Sequence, residues 1–202
     1  RSGEEGNPDM RSGKGTSFER LICSTLSDWW APGRTDIFWR TPTSGARATS
    51  RGKKGKRTTN QHGDILATDP CGQPFLDLFT VECKKGYNSS SVSDLLDRSA
   101  GAAVQRWEGW LAKLSETSRQ AGSWSWLLIA RRDRREALAF LPLADASALI
   151  GPDAVTIRPR LLFHPNGNAL PPVLGLPLRA FLAGVSPASV INLAKELEKE
   201  AS

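Results

Sequence analysis

Apolar positions along the chain change period several times, and the changes mark out its elements. Phe18, Leu21, Ile22, Leu26 and Trp29 recur at helical spacing, which predicts a helix capped by Thr16 or Ser17 and ended by Pro32-Gly33. Asp36 to Arg40 reads as a short aromatic strand. Residues 63–84 hold two apolar runs about a turn at Asp69, Pro70, Cys71 and Gly72, the pattern of a hairpin whose second strand runs from Phe75 through Val81. A polar loop follows from Gly86 to Ser93. A long helix is expected from about Ser93 to Ala121, with Leu95, Leu96, Val104, Trp107, Leu111 and Leu114 on its apolar side and Gly101 and Gly109 as weak points. Trp124 to Ala130 reads as a buried strand, Arg131 to Arg135 as a charged hairpin turn, and Ala137 to Leu141 as the returning strand. Helix, strand, long arm, hairpin, helix, hairpin is the order of an α/β layer fold with a mixed sheet flanked by helices.

The texture changes after Pro142. Prolines at 142, 152, 159, 165, 171, 172, 177 and 187 argue against long regular elements, so residues 142–202 read as a Pro-rich extension packed on the core. One helix survives at the end, with Ser186 as cap, Pro187 in the first turn and Val190, Leu193, Ala194 and Leu197 on one face. That face can dock on its own core or make a dimer contact. Asn166-Gly167 suits a hairpin turn. Residues 1–15 are Gly-rich and polar, expected as a disordered tail without the apolar centre of a signal peptide. No run of eighteen apolar residues occurs, so no membrane span or membrane partner is expected.

Composition narrows the function. A chain of 202 residues with 39% hydrophobic content supports one domain, placed at residues 16–141, plus extensions. Cys23, Cys71 and Cys83 form no CxxC pair, which fits reduced thiols in the cytoplasm better than a disulfide framework or a zinc site. His62 and His164 are too few and too separated for a histidine-based metal centre, and His62 reads as a solvated loop residue near Asp64. A net charge of +6 and a pI of about 9.5 favour a polyanionic partner. The charge is concentrated: Arg40, Arg47, Arg51, Lys53, Lys54, Lys56 and Arg57 lie between Arg40 and His62 with no acid among them. Gly, Ser and Thr fill the gaps, so residues 46–62 are expected as a mobile basic arm. Such an arm serves phosphate contacts, although a solvated loop or a localisation signal has the same composition. It carries no aromatic residue for base stacking.

Candidate chemistry sits at the ends of the two apolar runs. Glu82 and Lys84 are two apart on the expected second strand and so share a face, and a hairpin would bring Asp64 beside them. Two carboxylates and an ammonium suit a hard divalent cation and a water, since such ions take one or two carboxylates plus substrate phosphate. Edge charges that block sheet association are the other reading of these residues. The apolar run before Glu82 reads as a central strand, where charges are costly unless paired or metal-bound. Asp77, five residues before Glu82 on the same expected strand, points to the opposite face and is left out of the site.

These residues in this order resemble the PD-(D/E)xK nuclease superfamily and, within it, archaeal and phage-type Holliday junction resolvases. The resemblance covers about residues 14–141. It rests on Lys14-Gly15-Thr16 with Ser17, Phe18 and Glu19, on Arg40-Thr41-Pro42-Thr43-Ser44-Gly45, on Gly63-Asp64-Ile65, on Glu82-Cys83-Lys84 and on Gln105 in the following helix. It implies a restriction-endonuclease-like core and a metal-dependent endodeoxyribonuclease. Mg²⁺, replaceable by Mn²⁺, would be held by Asp64, Glu82 and the backbone carbonyl of Cys83, with Glu19 binding through water or holding a second ion. Lys84 would orient or deprotonate the attacking water. Arg40, Ser44 and Gln105 would join the arm in contacting DNA, and the expected substrate is branched DNA cut by a homodimer. Trp29, Trp30, Trp39 and the C-terminal helix are the candidate dimer surfaces. The arm between Ser44 and Asp64 is longer than in compact resolvases. The superfamily also holds restriction enzymes and phage nucleases acting on duplex, and a catalytically idle DNA-binding module of this fold is the alternative outside the enzymes.

Overall fold

The first apolar stripe forms helix α1, Ser12–Trp30, which starts four residues ahead of the expected cap. The structure, a computed structural model, describes residues 12–42, 62–92, 105–151, 157, 160–163 and 170–200. Phe18, Ile22, Cys23, Leu26 and Trp30 on α1 are buried, so one stripe of the helix is spent on the core. Strand β1, Phe38–Arg40, is tied to α1 where the Phe38 N–H donates to Ser27 Oγ at 3.0 Å. It pairs antiparallel with β2, Ile65–Ala67, with Trp39 opposite Leu66.

That pairing corrects the expected hairpin between residues 63 and 84. The turn is a 3₁₀ segment, Pro70–Gly72, whose Cys71 N–H is capped by the Asp69 carboxylate at 2.9 Å. It leads into helix α2, Gln73–Leu78, and strand β3 begins only afterwards, Phe79–Lys85. Pro74 in the first turn starts this helix, and Phe75 and Leu78, three apart, bury its inner face. Asp77 therefore lies on a helix, where Gln73 Nε2 donates to its carboxylate at 2.7 Å, and not on the strand that carries Glu82.

A parallel partner needs a crossover. The chain supplies it with helix α3, Arg106–Ala121, before strand β4, Ser125–Arg131, which runs alongside β3 with Glu82 opposite Leu128. The helix expected from Ser93 is described only from Arg106, residues 93–104 lying outside the described residues. The charged turn behaves as expected, and β5, Leu138–Pro142, returns antiparallel to β4. Then come α4, Leu143–Ile150; β6, Leu161–Phe163; β7, Val173–Pro177; α5, Leu178–Gly184; and α6, Pro187–Glu200.

The sheet order is β3-β4-β5-β7-β6. The segment after Pro142, expected to lie on the core as an extension, thus contributes two strands to the sheet itself. Its prolines punctuate instead of preventing structure: Pro142 and Pro177 each end a strand and sit at the N-cap of the next helix. Alternate residues of β3 and β4 face two cores. Val81, Cys83, Leu127 and Ile129 meet α1, α5 and α6 on one side. Trp126, Leu128 and Ala130 meet Trp107, Leu111 and Leu114 of α3 on the other. Burial on both sheet faces explains the unbroken apolar run of β4. Trp29 and Trp30 belong to this packing, their indole N–H groups donating to Leu182 O at 2.8 Å and Cys71 O at 3.0 Å. Trp39 is 45% exposed. Val190 and Ala194 of α6 face its own core. Among the described residues no helix is long and apolar enough to cross a membrane.

Candidate functional site

Asp64 reaches the free edge of β3 by a route that only glycine permits. Gly63 has φ +86°, and a Cβ there would lie 2.5 Å from the Val81 carbonyl oxygen. With no side chain in the way, the Asp64 N–H donates to Val81 O at 2.7 Å. The Cys83 N–H in turn donates to Asp64 Oδ2 at 2.8 Å. Thr41, buried just beyond β1, clamps the same two residues. Its N–H donates to Asp64 O at 2.9 Å and its Oγ1 to Gly63 O at 3.0 Å. A strand residue's N–H and C=O leave on the same side, so the Cys83 carbonyl also points from the β3 edge towards Asp64.

Alternation along β3 decides the rest. Cys83 goes into the core beneath α1, and Glu82 and Lys84 project to the other side, paired with each other and each about one-fifth exposed. Glu19 on α1 lies 4.0 Å from Arg40 at the end of β1. The two corrected elements therefore still deliver Asp64 to Glu82 and Lys84, through a backbone contact across the sheet edge instead of a hairpin.

The charges act on one another. Burial and the neighbouring Glu82 carboxylate push Asp64 up to about 7, against the pull of the Cys83 N–H and Lys84, with Glu19 adding to the rise. Burial also raises Glu19; Arg40 opposes the rise and Glu82 adds to it. Burial works against the Lys84 ammonium, but the Glu82 and Asp64 carboxylates outweigh it and its pKa is raised. An acid held near neutrality by burial and by neighbouring carboxylates is relieved by a cation. Burial pushes Cys23 up to about 12 and Cys83 well above its ordinary value, so both stay neutral thiols and the donors on offer are oxygens. That set suits a hard cation. Among the described residues no three or more His, Cys, Asp or Glu side chains form a cage. A hard cation held by one or two carboxylates takes its remaining ligands from water and substrate.

Other expected site residues fall elsewhere. Gln105 is the N-cap of α3, its N–H donating to the Glu108 carboxylate at 2.9 Å. Ser44, Arg47, Arg51, Lys53, Lys54, Lys56 and Arg57 lie outside the described residues. His62 lines a small polar cleft with Asp77, Thr80 and Ser123. Thr41 was visible only as part of the Arg40-to-Gly45 stretch, with no sign that it holds Asp64. A cavity of about 260 Å³ opens beside Lys84, lined by Tyr87, Trp107 and Trp110. The sequence shows Trp107 only as a core position and offers no sign of the opening.

The model of a family described as phage putative PDDEXK endonuclease matches residues 10–158. No curated protein and no solved structure matches the chain. The matched span holds α1, the β1–β2 pair, the Glu82-Cys83-Lys84 strand, the crossover helix and β4 to α4. Asp64, Glu82 and Lys84 meet within it at one sheet edge. The chain belongs to the phage putative PDDEXK endonuclease family, and with it to the PD-(D/E)xK nuclease superfamily, whose members generally use divalent metal ions.

Proposed function

We propose that the chain is a Mg²⁺-dependent endodeoxyribonuclease, with Mn²⁺ able to substitute, that acts inside the cell on branched DNA as a homodimer. The observation that carries the reading is the attachment of Asp64 to the β3 edge beside the Glu82–Lys84 pair. Asp64, Glu82 and the Cys83 carbonyl would hold the cation, with Glu19 binding through water or holding a second ion. When bound, a divalent cation there neutralises charge on the scissile phosphate and lowers the pKa of a water. Lys84 orients that water and balances the charge that develops on the phosphoryl oxygens. Arg40 and Ser44 position the phosphate, and Arg47, Arg51, Lys53, Lys54, Lys56 and Arg57 track the neighbouring backbone, with Gln105 contributing from the cap of α3.

Selectivity for branched DNA is supported by the resemblance of the motif order to junction resolvases and by the basic stretch that precedes Asp64 in the sequence. Symmetric cutting of two strands calls for two sites related by a two-fold axis. Trp39, exposed on β1, is the candidate contact left once Trp29 and Trp30 are assigned to the core. One gel tests the reading, with labelled four-way junction, flap, duplex and single strand in Mg²⁺, Mn²⁺ or EDTA. Paired symmetric nicks in the junction are expected, lost in EDTA and in Asp64→Asn or Glu82→Gln with DNA affinity retained. Equal cutting of plain duplex would remove the branch selectivity. Binding without cleavage in either metal would leave a DNA-binding module.

A further inference from the structure

The cavity beside Lys84 has features that the chemistry above does not use. Its volume is about 260 Å³, and Tyr87, Trp107 and Trp110 make its aromatic wall. Ligand pockets for drug-sized molecules span roughly 300–1,000 Å³, so this one holds a single ring system and not a base pair. The rings of Tyr87 and Trp110 meet edge to face at 4.7 Å, and those of Trp107 and Trp110 at 5.1 Å. Tyr87 is 45% exposed and stands at φ 49°. A bulky side chain in the left-handed region is an outlier that ordinary packing does not favour. Arg106 lies over the Tyr87 ring at 5.4 Å. Trp107 is 5% exposed, and its indole N–H has no partner among the described residues.

Charge complements the ring wall. Arg131, Arg132 and Arg135 line the opening together with Lys84. The one acid among the lining residues, Glu136, is paired with Arg179. A flat aromatic ligand carrying negative charge on either side is what such a surface recognises: aromatic faces take the ring, and guanidinium groups take the phosphates.

We propose that this cavity is a nucleobase subsite, which takes one unstacked base of a DNA strand while Lys84 faces the phosphate next to it. The inference rests on the nuclease reading and adds to it a contact with the base. A base can leave its stack most cheaply in a single strand or at a branch point, so the subsite favours DNA with splayed strands near the cut. Trp110 stacks the base with Tyr87 against its edge, and Arg131, Arg132 and Arg135 hold the flanking phosphates.

The test is binding of a forked DNA in EDTA, with one abasic position moved through the single-stranded arm and the branch point. Stacking on an aromatic side chain contributes about 1–3 kcal/mol per base, which is about 5- to 150-fold in affinity. The wild-type chain should lose that much at one position and little at its neighbours. Trp110→Ala should weaken binding to the intact fork by the same factor and leave the fork abasic at that position unaffected. Trp110→Phe should restore most of the loss. A flat abasic scan in a chain that binds the fork and cuts DNA in Mg²⁺ would overturn the subsite and leave the nuclease standing. The scan needs no variant, so a Trp110 substitution that fails to fold does not spare the proposal. A chain that neither binds nor cuts the fork would overturn both.

Discussion

Asp64 is where stability and chemistry pull in opposite directions. Its carboxyl titrates at about 7 in the folded chain, against an ordinary carboxylate value of about 3.9 when unfolded. Between those values the folded state keeps a proton that the unfolded state has lost. The metal-free fold therefore loses stability as pH rises through that window, fully so above 7. Asp64→Asn removes the charge and keeps an oxygen to accept the Cys83 N–H. It should match the wild type near pH 4 and exceed it at pH 8, by up to about 4 kcal/mol in order of magnitude. Urea unfolding in EDTA at the two pH values measures this. Equal differences at both would mean that burial does not hold the proton. Adding Mg²⁺ at pH 8 should raise the wild-type Tm and leave Asp64→Asn unmoved, because a ligand stabilises only the state that binds it.

At the scale of elements, the site depends on how closely the chain at Gly63 approaches β3. Gly63→Ala would place a methyl group against the Val81 carbonyl and force a left-handed φ on alanine. The backbone strain costs on the order of 1–3 kcal/mol. Displacing Asp64 by about 1 Å should lower cleavage on the order of 100-fold even in chains that remain folded. Thermal melts alongside single-turnover rates would show both effects, and a folded variant cutting at the wild-type rate would sink the argument. This contact also shows what the sequence could disclose. Glu82-Cys83-Lys84 was legible because charges closing an apolar run are anomalous. Asp64 does meet the β3 edge, but by a backbone contact and not by the expected hairpin. Phe75 to Val81 looked like one strand because a short apolar run has no period to separate strand from helix. Pro74, in the first turn, is the residue that marks the helix. Thr41 and the ring-lined cavity depend on contacts between distant segments, which no local pattern encodes. The strands after Pro142 are hidden for the opposite reason: prolines argue against strand interiors, and here they mark strand ends.

For the whole molecule, the net charge of +6 is unevenly placed. Seven basic residues and no acid lie between Arg40 and His62, immediately before the residue that holds the site together. Each phosphate neutralised on duplex DNA contributes roughly 0.9 to the slope of log affinity against log salt. Replacing Arg51, Lys53, Lys54, Lys56 and Arg57 by Ser removes five charges. The slope should flatten by up to about 4–5. The base subsite makes the opposite kind of contribution, since stacking depends little on salt. In Trp110→Ala the affinity for forked DNA should fall at every salt concentration with its slope intact. Fluorescence titrations over a series of salt concentrations separate the two. An unaltered slope in the arm variant would mean that these charges do not meet the phosphates, and the affinity of the chain would then have to come from Arg40, Arg47, Lys84 and the arginines around the cavity.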